Sequence, residues 1–261
     1  MTKTALITGA SGGIGYELAE IFAKHKNNLV LVARSEDKLN KIKEKLEKKY
    51  EISVLVIAKD LTEEGAAQNV YDEVKASGTD VDYLVNNAGF GDNNAFNDTA
   101  LSVQENMVKL NVLALTQLTH LFGGDMKERG EGKILNIASI AAFSAGPYMS
   151  VYYASKAFVL SFSEAVAEEL RPYGVTVTAL CPGPTKTGFE KTADLEKARM
   201  FKFFKPADAD DVAEYGYEAL RKGRTVIVAK GVKSTTVLSK LAPRIICRKF
   251  SKWINSTVNK A

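Results

Sequence analysis

Thr4-Ala5-Leu6-Ile7-Thr8-Gly9-Ala10-Ser11-Gly12-Gly13-Ile14-Gly15 carries an apolar run straight into a glycine-rich turn and then into a helical pattern. The run Thr4–Thr8 shows no in/out alternation, as expected of a strand buried on both faces. In the turn, Cβ atoms would keep a phosphate away from the backbone. A helix beginning there offers free N–H groups and partial positive charge. Taken alone, such glycines also serve a plain strand-to-helix turn. Placed between the first strand and the first helix, they mark a candidate pyrophosphate loop contacted by Gly9, Ser11, Gly13, Ile14 and Gly15.

Further along the chain, apolar runs alternate with helical patterns. The runs are Thr4–Thr8, Leu29–Ala33, Ser53–Ala58, Tyr83–Val85, Ile134–Ile137, Val175–Leu180 and Thr225–Ala229. The amphipathic stretches are Ile14–His25, Glu36–Tyr50, Glu63–Ser77, Val103–Lys127, Val151–Arg171 and Asp208–Arg221. Ser35 before Glu36 and Asp37, and Ser102 with Glu105 as a capping box, serve as helix start signals. Repeated β-α-β units predict an α/β fold, a Rossmann-type doubly wound parallel sheet of about seven strands in a single domain. We expect residues 1–232 to form the dinucleotide-binding domain, with a loop over 184–206, and 233–261 to be a basic amphipathic helical tail.

The second run ends Leu31-Val32-Ala33-Arg34-Ser35. In dinucleotide folds a carboxylate at this tip binds the ribose 2′-hydroxyl, whereas an Arg accommodates a 2′-phosphate. No carboxylate stands at the tip here. Arg34 does, and Lys38 follows one turn into the next helix. NADP(H) is therefore expected over NAD.

Tyr152-Tyr153-Ala154-Ser155-Lys156 begins a helical pattern. Only Tyr152 has a lysine four residues on, and that spacing puts both on one helix face. A phenol titrates near pH ~10, and a neighbouring ammonium favours the phenolate. The pair thus suits general acid/base work, although Tyr-x-x-x-Lys alone is common in surface pairing and packing.

With these pieces in order, the chain resembles the short-chain dehydrogenase/reductase family, in its shorter single-domain branch, over nearly its whole length. The matching pieces are the Thr8–Gly15 loop, Asp60, Asn86-Asn87-Ala88-Gly89, Asn111, Ser139, Tyr152 with Lys156, and Pro182-Gly183. The resemblance implies an NADP(H)-dependent oxidoreductase interconverting a small-molecule carbonyl and alcohol. Tyr152 would exchange the proton and Ser139 would orient the carbonyl oxygen. Lys156 would hold the nicotinamide ribose and lower the Tyr152 pKa. Asn111 would anchor a water leading from Lys156. Asp60 and Leu61 would meet the adenine; Asn87, Ala88 and Gly89 would line the crevice; Pro182, Gly183, Thr185 and Thr187 would pack around the carboxamide. The family also implies a homodimer or homotetramer. A catalytically silent NADP(H)-binding regulatory or scaffold protein is the alternative.

Phe189, Met200, Phe201, Phe203 and Phe204, with Phe143, Pro147, Tyr148 and Met149, are candidates to face an apolar substrate such as a ketosteroid or 3-oxoacyl compound; packing in the core or at a subunit contact is the competing reading. His25 and His120 have no partner motif, and Cys181 and Cys247 form no CxxC pair, so no metal site or hydrolase triad is expected.

The net charge of +4 is unevenly spread. Eight of the 35 Lys/Arg lie in 230–261, which has no Asp or Glu. The other 27 face 31 carboxylates, a net of −4 over 1–229. Within the tail, Ile245, Ile246, Phe250, Trp253 and Ile254 can share one helix face. Packing on the body or a second subunit, contact with an anionic membrane surface through 240–258, and an acidic partner or substrate all stay open. Nothing suggests nucleic-acid reading. No signal peptide or spanning run is visible, so a cytoplasmic protein is expected, with the tail able to touch the inner face of a membrane.

Overall fold

The computed structural model describes residues 2–193, 195, 198–228 and 242–256. The first half contains β1 (Thr4–Thr8), α1 (Gly13–Lys24), β2 (Asn28–Ala33), α2 (Glu36–Tyr50), β3 (Val54–Ala58), α3 (Ala66–Ala76) and β4 (Tyr83–Asn86). It continues with α4 (Leu101–Val108), a π-helical turn Lys109–Ala114, α5 (Leu115–Arg129), β5 (Gly132–Ile137), a 3₁₀ turn Ile140–Phe143 and α6 (Ser150–Leu170). After β6 (Val175–Cys181) come β7 (Thr185–Lys186), α7 (Phe189–Thr192), α8 (Arg199–Phe203), β8 (Ala207–Asp208), α9 (Ala209–Arg221), β9 (Val226–Val228) and α10 (Arg244–Asn255).

Seven parallel strands form one sheet in the order β3-β2-β1-β4-β5-β6-β9. Every residue of β1 is buried, in keeping with its unbroken apolar pattern. One face of the sheet packs Leu18, Phe22, Leu39, Leu46 and Leu220 from α1, α2 and α9. The other packs Val70, Val74, Leu118, Phe122 and Ala167 from α3, α5 and α6. The strand order reverses between β1 and β4. A crevice opens at such a reversal, outside the carboxyl ends of the strands.

Several element ends differ from expectation. The third helix starts at Ala66 rather than Glu63, because Glu63 belongs to a turn in which Ala66 N–H bonds its carbonyl. The capping box at Ser102 does not form. The helix already begins at Leu101, its cap is Ala100, and the amides of Val103 and Gln104 bond the Ala100 carbonyl. Ser35 does stand at the α2 cap, but without a side-chain bond. The last strand is described only through Val228; Ala229 and the expected boundary at 232/233 lie outside the described residues.

Beneath the crevice runs a chain of buried amides and hydroxyls. Asn86 Nδ2 donates to Thr119 Oγ1 (3.0 Å) and Asn136 Oδ1 (2.9 Å). Asn136 Nδ2 donates to Ser163 Oγ (2.9 Å), which donates to the Val159 carbonyl (2.6 Å). The chain ties β4, β5, α5 and α6 together, with Asn136 fully buried. Removing its centre leaves neighbours unsatisfied, which costs about 1–3 kcal/mol. Asn136→Ala should therefore lower the urea midpoint by that equivalent with an unchanged m-value.

Candidate active site

A cleft of about 970 Å³ crosses the strand ends, from Arg34 after β2 to Met200 on α8. Of the residues singled out in the sequence as catalytic or cofactor-binding, all but Gly15 and Asn111 line it. Its end at the glycine-rich turn is built on backbone. Gly9 and Gly13 take φ of 65° and 54°, a region side chains disfavour. A Cβ at Gly9 would stand 2.8 Å from Asn87 Nδ2, and one at Gly15 would overlap that atom and the Gly9 carbonyl. At Gly12 a Cβ would meet nothing within 4 Å. The loop thus leaves an open cradle at the N-terminus of α1, where the first helical N–H groups lack intrahelical partners. That cradle fits a dinucleotide's phosphates.

Asn87 fixes the cradle to β4. Its Nδ2 donates to the carbonyls of Thr8 (2.9 Å) and Gly9 (3.2 Å). The amides of Asn87 and Ala88 both donate to Thr8 Oγ1 at 3.0 Å. At the end of the cleft beyond β2, Arg34 and Lys38 are joined by Lys59, which the sequence reading missed. A signal for it existed. Ala33 pairs with Ala58, so Arg34 and Lys59 leave adjacent strand ends together. Asp60 lies beside them, its Oδ1 accepting from Thr62 N and Oγ1 at 2.9 and 2.8 Å.

At the inner end, the first turn of α6 presents Tyr152 and, one turn on, Lys156. Burial pushes the Tyr152 phenol up to about 12, against a hydrogen bond with Ser139 that pulls it down. The expected lowering by Lys156 is not what the cleft imposes. The Lys156 ammonium lies 5.8 Å from the Tyr152 ring and is spent on the Ile137 carbonyl (2.7 Å), so desolvation dominates. Burial takes Lys156 itself down to about 8.

Asn111 sits behind the cleft, on the π-helical turn. Its Oδ1 accepts from Phe90 N (3.1 Å), and its Nδ2 donates to Phe90 O (2.9 Å) and Ser155 Oγ (3.1 Å). Ser155 in turn donates to the Tyr152 carbonyl (2.7 Å). The amide therefore clamps the loop after β4 to the tyrosine's own helix. Pro182, Gly183, Thr185 and Thr187 close the opposite wall, and Thr187 packs where a Cβ on Gly13 would stand (2.9 Å).

The wall beside Tyr152 is apolar. Met149, Phe189, Leu195 and Met200 line it, and the Phe189 ring lies 5.3 Å from that of Tyr152. Phe143, Pro147, Tyr148, Phe203 and Phe204, grouped with them in the sequence, do not line the cleft; the Phe201 side chain lies outside what is described. Phe143 instead packs against the core under β6, and Phe203 points outward, 54% exposed. The wall has an unexpected support in Asn255 of α10. Fully buried, it accepts from Tyr153 Oη (3.1 Å) and donates to Pro147 O (3.0 Å), while its carbonyl accepts from Asn93 Nδ2 (3.1 Å). An Asn in a basic tail carries no local signal of such a role.

Residues 3–198 match the family model described as short chain dehydrogenase. The chain belongs to the short-chain dehydrogenase family. It is 34% identical over 186 residues to the human very-long-chain 3-oxoacyl-CoA reductase, a match covering 68% of this chain but only 58% of that enzyme. It is 30% identical over 272 residues to mouse 17-beta-hydroxysteroid dehydrogenase type 3, covering 99% and 86%. Its fold superposes on the short-chain dehydrogenase from Sphingobium yanoikuyae solved in complex with NADPH, with TM-score 0.83, 29% identity, and 92% and 91% of the two chains. Among the described residues, no group of His, Cys, Asp and Glu could hold a metal ion, and no helix is long and apolar enough to cross a membrane.

The depressed Lys156 gives this short-chain dehydrogenase a pH signature. Its folded value of about 8 lies below the usual 10.5, so the unfolded chain binds more protons between those values. The burial penalty is full below about pH 8 and is relieved as pH rises from there. The stability of the native chain should therefore rise relative to Lys156→Met between pH 8 and 10. Denaturant titrations of both proteins across that window check this; a constant difference contradicts it.

Proposed function

We propose that this short-chain dehydrogenase is an NADP(H)-dependent oxidoreductase that interconverts a bulky apolar ketone and its alcohol. The observation that carries the reading is the Tyr152 phenol, bonded to Ser139 at the inner end of a cleft that also holds a pyrophosphate cradle. A phenol pushed up to about 12 keeps its proton at neutral pH. It is thus set to donate as charge develops on a carbonyl oxygen held between Tyr152 and Ser139. The bound nicotinamide would supply or accept the hydride. Lys156, Asn87, Ala88 and Gly89 would hold its ribose side, and Thr185, Thr187, Pro182 and Gly183 its carboxamide side. Asn111 would position Tyr152 through Ser155.

Three cations at the adenosine corner, Arg34, Lys38 and Lys59, favour the 2′-phosphate of NADP(H). Met149, Phe189, Leu195 and Met200 favour an apolar substrate, a preference shared by the acyl and steroid classes named in the relatives. Self-association through α4, the π-helical turn and α6 is supported by exposed Phe96 and Val108, which line an apolar recess with Val112 and Val151, and by exposed Leu113.

Two measurements test the reading. Tyr152→Phe should keep NADPH binding and lose at least ~100-fold in kcat on any ketone the native protein reduces. A native protein that binds NADPH but reduces nothing in a panel of ketosteroids, 3-oxoacyl thioesters and small ketones would instead be the silent binder. Arg34→Ala should weaken NADPH binding roughly 10- to 100-fold through loss of a charge-assisted contact, with NADH affinity little changed. Equal losses for both nucleotides contradict the 2′-phosphate assignment.

A further inference from the structure

One face of α10 is absorbed by the cleft wall, and the other is not. Ser251, Ile254 and Asn255 are buried inward, with Ser251 Oγ 3.1 Å from Ser144 Oγ. Two stripes face away. Ile246, Phe250 and Trp253, spaced i, i+4 and i+7, form an apolar stripe that is 57%, 39% and 44% exposed. Arg244, Arg248 and Lys252, spaced i, i+4 and i+8, form an exposed basic stripe, and Lys249 and the exposed Ile245 lie between the two. The expected single apolar face is therefore split, with Ile254 turned into the body and the other apolar residues outside. Phe203 of α8 extends the outer patch, its ring 5.7 Å from Phe250 and 5.6 Å from Trp253. No acidic residue occurs in α10 or anywhere in 230–261, although 1–229 carries net negative charge.

We propose that the outer face of α10, with Phe203, docks on the surface of an anionic phospholipid bilayer. Apolar and aromatic side chains beside a purely cationic stripe match the interfacial layer of such a membrane, where rings enter the acyl boundary and lysines meet headgroups. Twelve residues span only about 18 Å as a helix, against about 30 Å of hydrocarbon, so α10 lies along the surface. Its charge discriminates among occupants. A second copy of this chain would set like charges against each other across a two-fold contact, whereas anionic lipid pairs with all four cations of the helix. Docking here would hold α8, whose Met200 lines the cleft, against the lipid, so an apolar ketone dissolved in the bilayer would meet the substrate side directly. That consequence rests on the proposed function; the docking itself does not.

The sequence contains one tryptophan, and it is Trp253. Its emission is therefore a reporter of the proposed face alone. The full-length protein is titrated with phosphatidylcholine vesicles with and without phosphatidylglycerol. We expect a blue shift with the anionic vesicles only, diminishing as salt is raised. Arg248→Gln/Lys249→Gln keeps the reporter and should weaken partitioning about 25-fold, at about a factor of five for each cation removed. Ile246→Ser, at the most exposed position of the stripe, should weaken it too without moving the thermal midpoint. No shift with anionic vesicles overturns the proposal, as does equal partitioning of the native and double-variant proteins. A shift that depends on protein concentration without vesicles, or one given by polyglutamate but not by vesicles, overturns it in favour of a second copy or an acidic partner.

Discussion

The site depends on how β1 and β4 are joined where the sheet reverses. Two parallel strands end there, side by side, with backbone groups that no further strand can satisfy. Thr8 and Asn87 satisfy them for each other, through one hydroxyl that accepts two amides and one amide that donates to two carbonyls. This economy forces the glycines. With Asn87 Nδ2 pressed against the turn, any side chain at Gly9 or Gly15 would displace the bond that defines the crevice. The same contact that closes the sheet therefore shapes the cradle, and fold and nucleotide loop cannot be altered separately.

Desolvation sets the chemistry at the other end of the cleft. Tyr152 and Lys156 are both driven toward neutrality, the phenol upward and the ammonium downward. A phenol so raised keeps its proton at neutral pH. The opposing influence is the hydrogen bond from the Ser139 hydroxyl, which lowers what burial raises. Asn111 acts a step further back, locking Phe90 to Ser155 across a π-helical turn, and so fixes the register of the helix that presents Tyr152. Irregular helical turns of this kind are often kept where a side chain must be placed for function.

What the sequence disclosed follows from range. Buried strands read as unbroken apolar runs, glycine turns read as special backbone, and Tyr152 with Lys156 reads as one helical turn; each signal is local. The strand ends were legible to within a residue or two for the same reason. Ser102 misled because a capping pattern says which side chains could cap, not where the incoming loop delivers the chain; here the loop delivers Ala100 first. Lys59 required knowing that β3 ends beside β2. Asn255 required contacts reaching 102, 108 and 162 residues back along the chain, to Tyr153, Pro147 and Asn93, and no periodicity encodes those.

Those same long-range bonds decide what the tail presents. A helix with apolar, basic and small polar residues in alternation could rotate to bury any of its faces. Hydrophobicity alone would turn Ile246, Phe250 and Trp253 inward. Asn255 opposes this, because its amide and carbonyl hold three partners in the observed orientation, and each buried polar group left without its partner would cost about 1–3 kcal/mol. The polar clamp at the C-terminal end of α10 therefore keeps the aromatic stripe outside, and the wall that carries Tyr153 is braced from the same helix that carries Trp253.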